Sequence, residues 1–158
     1  MAETPVWEPV VAYDRSFDAR YGLEISGHDP EAGELRGSIA VRDDLLTEHG
    51  LVHGGVFAAA AEAIASTGTA LVVMGDGDAA MGLSNDTTVL ADVRGGTIQL
   101  HARAVHRGGA DTPVLAGASE VLRGEREWVW TVDATGDDER PVAHSRVTVA
   151  VRPLRRPS

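Results

Sequence analysis

One long apolar run dominates the pattern of hydrophobic and polar positions along the chain. Residues 56–73 are rich in alanine and apolar on nearly every side, and Gly54 and Gly55 precede them directly after His53. A helix that is apolar all round must be buried, so this pattern predicts a long central helix. Glu62 is the single carboxylate in the run, and its burial would carry a desolvation cost unless the protein uses it. Glu62 is therefore the first candidate functional residue.

Alternating apolar and polar positions on both sides of this run predict strands. Turn sequences such as residues 28–33 separate these strands. The pattern predicts a short helix at residues 14–20. The predicted strands are 23–26, 34–41, 80–90, 97–105, 116–122, 127–134 and 142–151. A long central helix wrapped by an antiparallel sheet is the α+β arrangement that this order predicts.

Chain length and composition narrow the class of protein. A chain of 158 residues with 43% hydrophobic content suits one core, so we expect a single domain over residues 1–158. The sequence contains no cysteine, which excludes disulfides and thiolate nucleophiles. Its formal net charge of −10 argues against binding to nucleic acid, which requires clustered basic residues.

The N-terminal residues and the apolar run also bear on location. The first nine residues lack the basic and apolar regions of a signal peptide, so we expect a cytoplasmic protein. The apolar run is shorter than a good membrane span and carries Glu62 and several hydroxyl residues. We therefore expect no membrane partner.

The polar residues of the predicted helix suggest a chemistry. Residues three and four apart share a helix face, so Glu62, Ser66 and Thr69 form one polar stripe in which a carboxylate and a hydroxyl can hold a water molecule. The N–H groups of Gly54 and Gly55 lie at the helix N-terminus, where unpaired amides can serve as an oxyanion hole. The alternative is a buried acid paired with an arginine elsewhere, with glycines that only permit close packing.

The spacing of these groups predicts a site shared between subunits. Glu62 follows Gly54 by eight residues, roughly 12 Å along a helix axis at about 1.5 Å per residue. Attack on a carbonyl needs the nucleophile and the oxyanion donors each about 3 Å from the reacting group. One helix does not readily supply both. We therefore expect a homo-oligomer, a dimer or a dimer of dimers, in which an antiparallel partner helix brings its glycine end to Glu62.

The residues Leu51-Val52-His53-Gly54-Gly55, with Glu62 following, resemble the signature of hotdog-fold acyl-CoA thioesterases. The likeness is greatest to the 4-hydroxybenzoyl-CoA thioesterases of the Arthrobacter type and to the phenylacetic-acid-degradation thioesterases, and segments 82–88, 128–130 and 149–153 share it. The resemblance implies a hotdog fold and hydrolysis of an acyl-CoA thioester, with an aromatic or small acyl group, to free acid and coenzyme A. Coenzyme A is then part of the substrate, and we expect no cofactor.

The resemblance also implies roles for individual residues. The acid at Glu62 attacks the thioester or activates water, the Gly54 amide binds the thioester oxygen, and the Ser66 hydroxyl orients water. His53 matches the motif, and we interpret it as a structural residue bonded to backbone at the helix start rather than a general base. Thr47 stands six residues before His53, where the family carries Asn or Gln, so an amide that would orient the substrate is missing.

Substrate contacts are expected from two further groups of residues. Gly55, Asn85 and Thr87 lie in the matched segments, and a basic C-terminal group faces the phosphates of coenzyme A: Arg152, Arg155 and Arg156, with Arg94, Arg103 and Arg107 as further candidates. The alternative for the C-terminal group is a solvated chain end. An insertion at residues 109–127 departs from the short family hairpin that helps hold the nucleotide.

Two other interpretations were weighed. His49 and His53 have the spacing of metal ligands, but no third ligand is evident, so we expect no metal site. A non-catalytic module that binds or senses acyl-CoA could use the same fold. Catalysis is favoured because a pure binder has little use for a buried acid on a helix that starts with two glycines.

Overall fold

The computed structural model describes residues 11–108 and 126–153, which form two helices and six strands. The helices are α1 (Phe17–Tyr21) and α2 (Gly54–Val73). The strands are β1 (Leu23–Asp29), β2 (Glu34–Ala40), β3 (Asp78–Val89), β4 (Thr97–Arg107), β5 (Arg126–Thr135) and β6 (Pro141–Pro153). Single turns of 3-10 helix cover Tyr13–Arg15, Asp43–Leu45 and Met74–Asp76.

The six strands form one antiparallel sheet in the order β1-β2-β4-β5-β6-β3. Helix α2 contacts all six strands, so the sheet curves around it. The predicted α+β arrangement of a long helix wrapped by an antiparallel sheet is confirmed. Strand β3 follows α2 in the chain and, among the described strands, pairs only with β6, so it forms one edge of this sheet.

The contact between α2 and β5 shows why the helix is rich in small residues. A Cβ on Gly68 would lie 2.6 Å from Trp130, so only glycine lets the indole ring rest on the helix. The Trp130 Nε1–H donates to Thr69 Oγ1 at 2.9 Å, and the Thr69 hydroxyl in turn donates to the carbonyl of Ala65 at 3.0 Å. Both polar groups are fully buried, and each therefore has a partner in the core.

The structure differs from the sequence-based elements mainly at their ends. The predicted helix at residues 14–20 is a 3-10 turn followed by α1, because Ser16 adopts an extended conformation and its hydroxyl accepts from the Ala19 N–H as an N-cap. Strand β3 begins two residues earlier than predicted, at Asp78, whose buried carboxylate pairs with Arg126. The predicted strand at residues 116–122 and most of the 109–127 insertion lie outside the described residues.

Helix α2 also meets the length and composition of a membrane span. Together with the following turn it covers Gly54–Asp76 with a mean hydropathy of 1.7, and half of the apolar window is buried inside the fold. Its buried face lies against the sheet, as expected for the core helix of a globular domain.

Candidate functional site

The start of α2 is built around His53. This residue is the N-cap, and its Nδ1 accepts from the Gly55 N–H at 2.9 Å. A Cβ on Gly55 would lie 2.9 Å from the same Nδ1, so the second glycine makes room for the capping ring. The Gly54 N–H meets no acceptor within the part of the chain that the structure describes, and Gly54 is exposed. The helix thus begins with one capped and one available amide.

Glu62 lies in the middle of α2, next to Gly82 of the edge strand β3. Its side chain is exposed in the subunit, so the expectation of a buried acid is wrong for a single chain, because the side chain lies at the edge of the sheet rather than under it. Over residues 11–108 and 126–153, no cationic side chain forms an ion pair with Glu62. Within that range, the alternative that Glu62 is a structural acid paired with an arginine is therefore excluded. The Glu62 carboxylate is therefore available to a ligand.

The position of the Glu62 side chain depends on a glycine in β3. A Cβ on Gly82 would lie 2.8 Å from Glu62 Oε1, 2.9 Å from its Cδ and 3.0 Å from its Cγ. The register of β3 against β6 also shifts between Gly82 and Ser84, which indicates a β-bulge. The absence of a side chain at Gly82 thus leaves space for the Glu62 carboxylate. The sequence motif did not reveal this role.

Helix α1 forms the other wall of the Glu62 site. A cleft of about 270 Å³ lies between the two helices. Its lining residues come from both of them: Phe17, Asp18, Ala59, Glu62, Ala63, Ser66 and Thr67. The structure therefore places Ser66 beside Glu62, as the helical spacing predicted. Thr69 is not part of this group, since it is fully buried against Trp130.

Asp18 and Tyr21 are members of this region that sequence reasoning missed. The Tyr21 hydroxyl donates to Asp18 Oδ1 at 2.6 Å and lies 3.4 Å from the Ala59 carbonyl of α2. Burial, followed by the hydrogen bond and negative charge of Asp18, raises the pKa of Tyr21 well above its usual range. No local pattern reveals this contact, because α1 and α2 are far apart in the sequence.

A second cleft, of about 500 Å³, lies at the start of α2. It shares Phe17 and Ala59 with the first cleft, and His53 and Gly55 line it together with the apolar side chains of Leu45, Leu46 and Val56. Arg20, Tyr21 and Asp44 complete the lining. The glycine end of α2 and the Glu62 cleft are thus adjoining parts of one groove along α1.

The remaining predicted catalytic residue, Thr47, lies in the loop before α2. Its Oγ1 accepts from the His49 N–H at 3.3 Å, and its carbonyl accepts from the Gly50 N–H at 2.9 Å. These bonds form a tight turn in which Gly50 has a φ of +71°. Thr47 therefore shapes the loop that leads to His53.

Asn85 and Thr87 attach β3 to its neighbours. The Asn85 Nδ2 donates to the Ala58 carbonyl at 2.7 Å, the same carbonyl that the α-helical pattern pairs with the Glu62 N–H. Thr87 Oγ1 donates to Asn85 Oδ1 at 2.7 Å and lies 2.8 Å from Ser145 Oγ. Asn85 thus joins β3 to α2 one helical turn before Glu62, and Thr87 joins β3 to β6.

The predicted basic residues are spread over the surface. Arg152 is exposed in β6, opposite Ala79 of β3, while Arg155 and Arg156 lie outside the described residues. Arg94 donates to the His49 carbonyl at 3.2 Å. The other two lie on β4, where Arg103 pairs with Asp133 at 2.7 Å and Arg107 lies over the ring of Trp128. The structure does not gather the four described arginines into one patch.

Comparisons with known proteins agree with this architecture. No family model matches the sequence. A protein from Mycobacterium tuberculosis whose name assigns it as an esterase is 31% identical over 133 residues, 83% of this chain and 82% of the relative. A solved variant of a thioesterase from Pseudomonas aeruginosa has a TM-score of 0.74 and 27% identity, and the match covers 89% of this chain and 88% of that one.

Two further solved structures extend the likeness. A thioesterase from Haemophilus influenzae has a TM-score of 0.73 and 25% identity, with coverage of 90% of this chain and 86% of that one. A phenylacetic-acid-degradation-related protein from Ralstonia eutropha shares the fold, with a TM-score of 0.67, 21% identity and coverage of 84% and 87%. The relationship to the esterase and the common architecture support hydrolysis of a thioester. The chain belongs to the hotdog-fold thioesterase family.

Proposed function

We propose that this protein hydrolyses acyl-CoA thioesters, with an aromatic or small acyl group, and that Glu62 is the catalytic nucleophile or general base. The observation that carries the proposal is the place of the Glu62 carboxylate, which lies exposed over Gly82 and beside Ser66 in the cleft between α1 and α2. A carboxylate without a paired cation can act as a base or a nucleophile.

The reaction follows one of two balanced routes. In the first, Glu62 takes a proton from a water that Ser66 orients, and the hydroxide attacks the thioester carbonyl. The carbonyl oxygen becomes negative and is stabilised by the N–H of Gly54 before the C–S bond breaks and the sulfur leaves as the coenzyme A thiolate, which takes up the proton from Glu62. In the second, Glu62 attacks the carbonyl itself and expels the coenzyme A thiolate, and water then hydrolyses the resulting anhydride to release the acid and regenerate Glu62. Both routes yield the free acid and coenzyme A.

Strand β3 supports a dimer in which the site is shared. It is a long edge strand that exposes three apolar side chains, Met81, Leu83 and Val89, and the exposed Leu90 follows it directly. Such an edge is a template for pairing with another chain. Strand β3 contacts both Glu62 and the start of α2. Gly82 adjoins Glu62, and Val89 lies near Gly54, with 3.6 Å between the Val89 Cγ2 and a Cβ built on Gly54.

An antiparallel pairing of β3 with the partner's β3, centred near Asn85 and Asp86, would therefore bring the acid of one subunit close to the glycine end of the other subunit's helix. It would set Gly82 opposite Val89 of the partner subunit and Glu62 near Gly54 of the partner subunit. This arrangement overcomes the roughly 12 Å that separate the two groups along one helix. In the same proposal, Arg152, Arg155 and Arg156 contact the phosphates of coenzyme A.

The test is release of coenzyme A thiol from a panel of aromatic and aliphatic acyl-CoA esters by purified protein. We expect Glu62→Gln, which keeps the shape and removes basicity, to lower kcat by at least about a hundredfold with unchanged folding. Glu24→Gln, an exposed acid on β1 away from the cleft, is the matched control. Near-normal thiol release by Glu62→Gln would refute the assignment, and tight binding without hydrolysis by the unaltered protein would indicate a sensing module instead.

A further inference from the structure

The cleft around Glu62 contains a second carboxylate that the proposed reaction does not use. Asp18 of α1 lines it opposite α2, and the other lining residues are neutral: Phe17, Ala59, Ala63, Ser66 and Thr67. No cationic side chain is among these described lining residues. The cleft therefore presents two negative charges and an apolar wall to whatever enters it.

The carboxylate of Asp18 is held in place by Tyr21. The Tyr21 side chain is 3% exposed, and its hydroxyl donates to Asp18 Oδ1 at 2.6 Å. Because burial and the negative charge of Asp18 raise the Tyr21 pKa, this hydroxyl stays protonated and remains a donor at neutral pH. The hydrogen bond from Tyr21 thus fixes the position of the Asp18 carboxylate in the lining of the cleft.

We propose that α1 selects the acyl group, and that Asp18 rejects acyl chains that end in a carboxylate while neutral chains are accepted. This inference rests on the proposed thioesterase function. Like charges within a partly enclosed cleft repel each other more strongly than in water, so an ionised acyl terminus is disfavoured beside Asp18. A neutral acyl chain meets no such repulsion and covers the exposed ring of Phe17. The substrate class is then a neutral, apolar acyl thioester.

The test compares hexanoyl-CoA with adipoyl-CoA, which have acyl chains of the same carbon number and differ by one terminal carboxylate. We expect the unaltered protein to hydrolyse hexanoyl-CoA with at least about tenfold higher kcat/KM. The Asp18→Asn variant keeps the acceptor for Tyr21 and removes the charge, and it should narrow this ratio by about fivefold, as one partly screened charge pair would. Higher salt should narrow the ratio of the unaltered protein in the same direction.

Three controls separate charge from structure. Asp18→Glu retains the charge and should retain the ratio. Asp14→Asn removes an exposed charge from the 3-10 turn outside the cleft, and Ser16→Ala removes the N-cap of α1 without changing charge. Both should leave the ratio as it is, since a general loss of α1 stability affects the two substrates alike.

The possible outcomes are distinct. A ratio near one in the unaltered protein, or an unchanged ratio in Asp18→Asn, overturns the role of Asp18 while the thioesterase function stands. If the unaltered protein releases thiol from neither ester nor from any other acyl-CoA of the panel, the proposed function fails and this inference fails with it. A ratio that falls equally in Ser16→Ala would assign the effect to the fold of α1 rather than to the charge.

Discussion

Replacing Gly82 by alanine tests whether the position of the Glu62 carboxylate matters. The added Cβ would lie 2.8 Å from Oε1, whereas ordinary contact begins near 3.4 Å, so this oxygen must move by about 0.6 Å. The Cδ and Cγ atoms lie only 2.9 and 3.0 Å away and must move as well, so the whole end of the side chain is displaced. Since a displacement of about 1 Å can cost about a hundredfold in rate, we expect kcat to fall between about tenfold and a hundredfold.

The same change should have little effect on folding. Glu62 is exposed, so the displaced side chain costs at most about 1 kcal/mol, and the loss of glycine flexibility in the unfolded chain offsets about 0.4–1 kcal/mol of that. A net change within about 1 kcal/mol corresponds to a Tm shift below about 4 °C. Steady-state thiol release and thermal unfolding measure the two effects separately.

Gly95→Ala is the matched control for this prediction. A Cβ on Gly95 meets nothing within 4 Å, so this variant should retain both activity and Tm. Light scattering of each variant checks that the oligomeric state is unchanged, because Gly82 lies on the edge strand proposed for the dimer. A folded Gly82→Ala protein with more than half of the original kcat would refute the proposed dependence of catalysis on the position of Glu62.

Two further predictions address assembly and stability. Mixed dimers of Glu62→Ala and Gly54→Pro subunits should regain activity, because one of their two sites then contains an intact Glu62 and an intact Gly54. The Gly54→Pro subunit must first be shown to fold. A confirmed mixed dimer without activity would then place the site within one chain. Thr69→Val should lower the free energy of unfolding by about 1–3 kcal/mol, because the Trp130 N–H loses its buried acceptor. Thermal unfolding measures this loss, and an unchanged Tm would contradict it.

Local patterns were sufficient to locate α2 and most strands. The helix was predicted from an apolar run and begins at the two glycines of the motif, and β2 was predicted from the alternation that buries Leu35 and Ile39. These signals are local, because helical and strand periodicities repeat every few residues. The pairing of Glu62 with Ser66 on one face followed from the same spacing.

The burial of individual residues on α2 was not determined by that spacing. Glu62 was expected to be buried and is exposed, whereas Thr69 was placed with it and is fully buried against Trp130. An alanine-rich helix has apolar residues on nearly every face, so its sequence does not indicate which face the sheet covers.

The chain by itself therefore determined most of the elements, the motif at the start of α2 and the choice of Glu62 as the candidate acid. Only the tertiary structure decided what surrounds that acid. The sheet order β1-β2-β4-β5-β6-β3 sets β3 at the edge and puts Gly82 beneath Glu62, while the packing of α1 on α2 brings Asp18 to the same cleft. The reason is physical: these contacts join residues that are 20 or more positions apart, and their pairing depends on how whole elements pack rather than on any local periodicity.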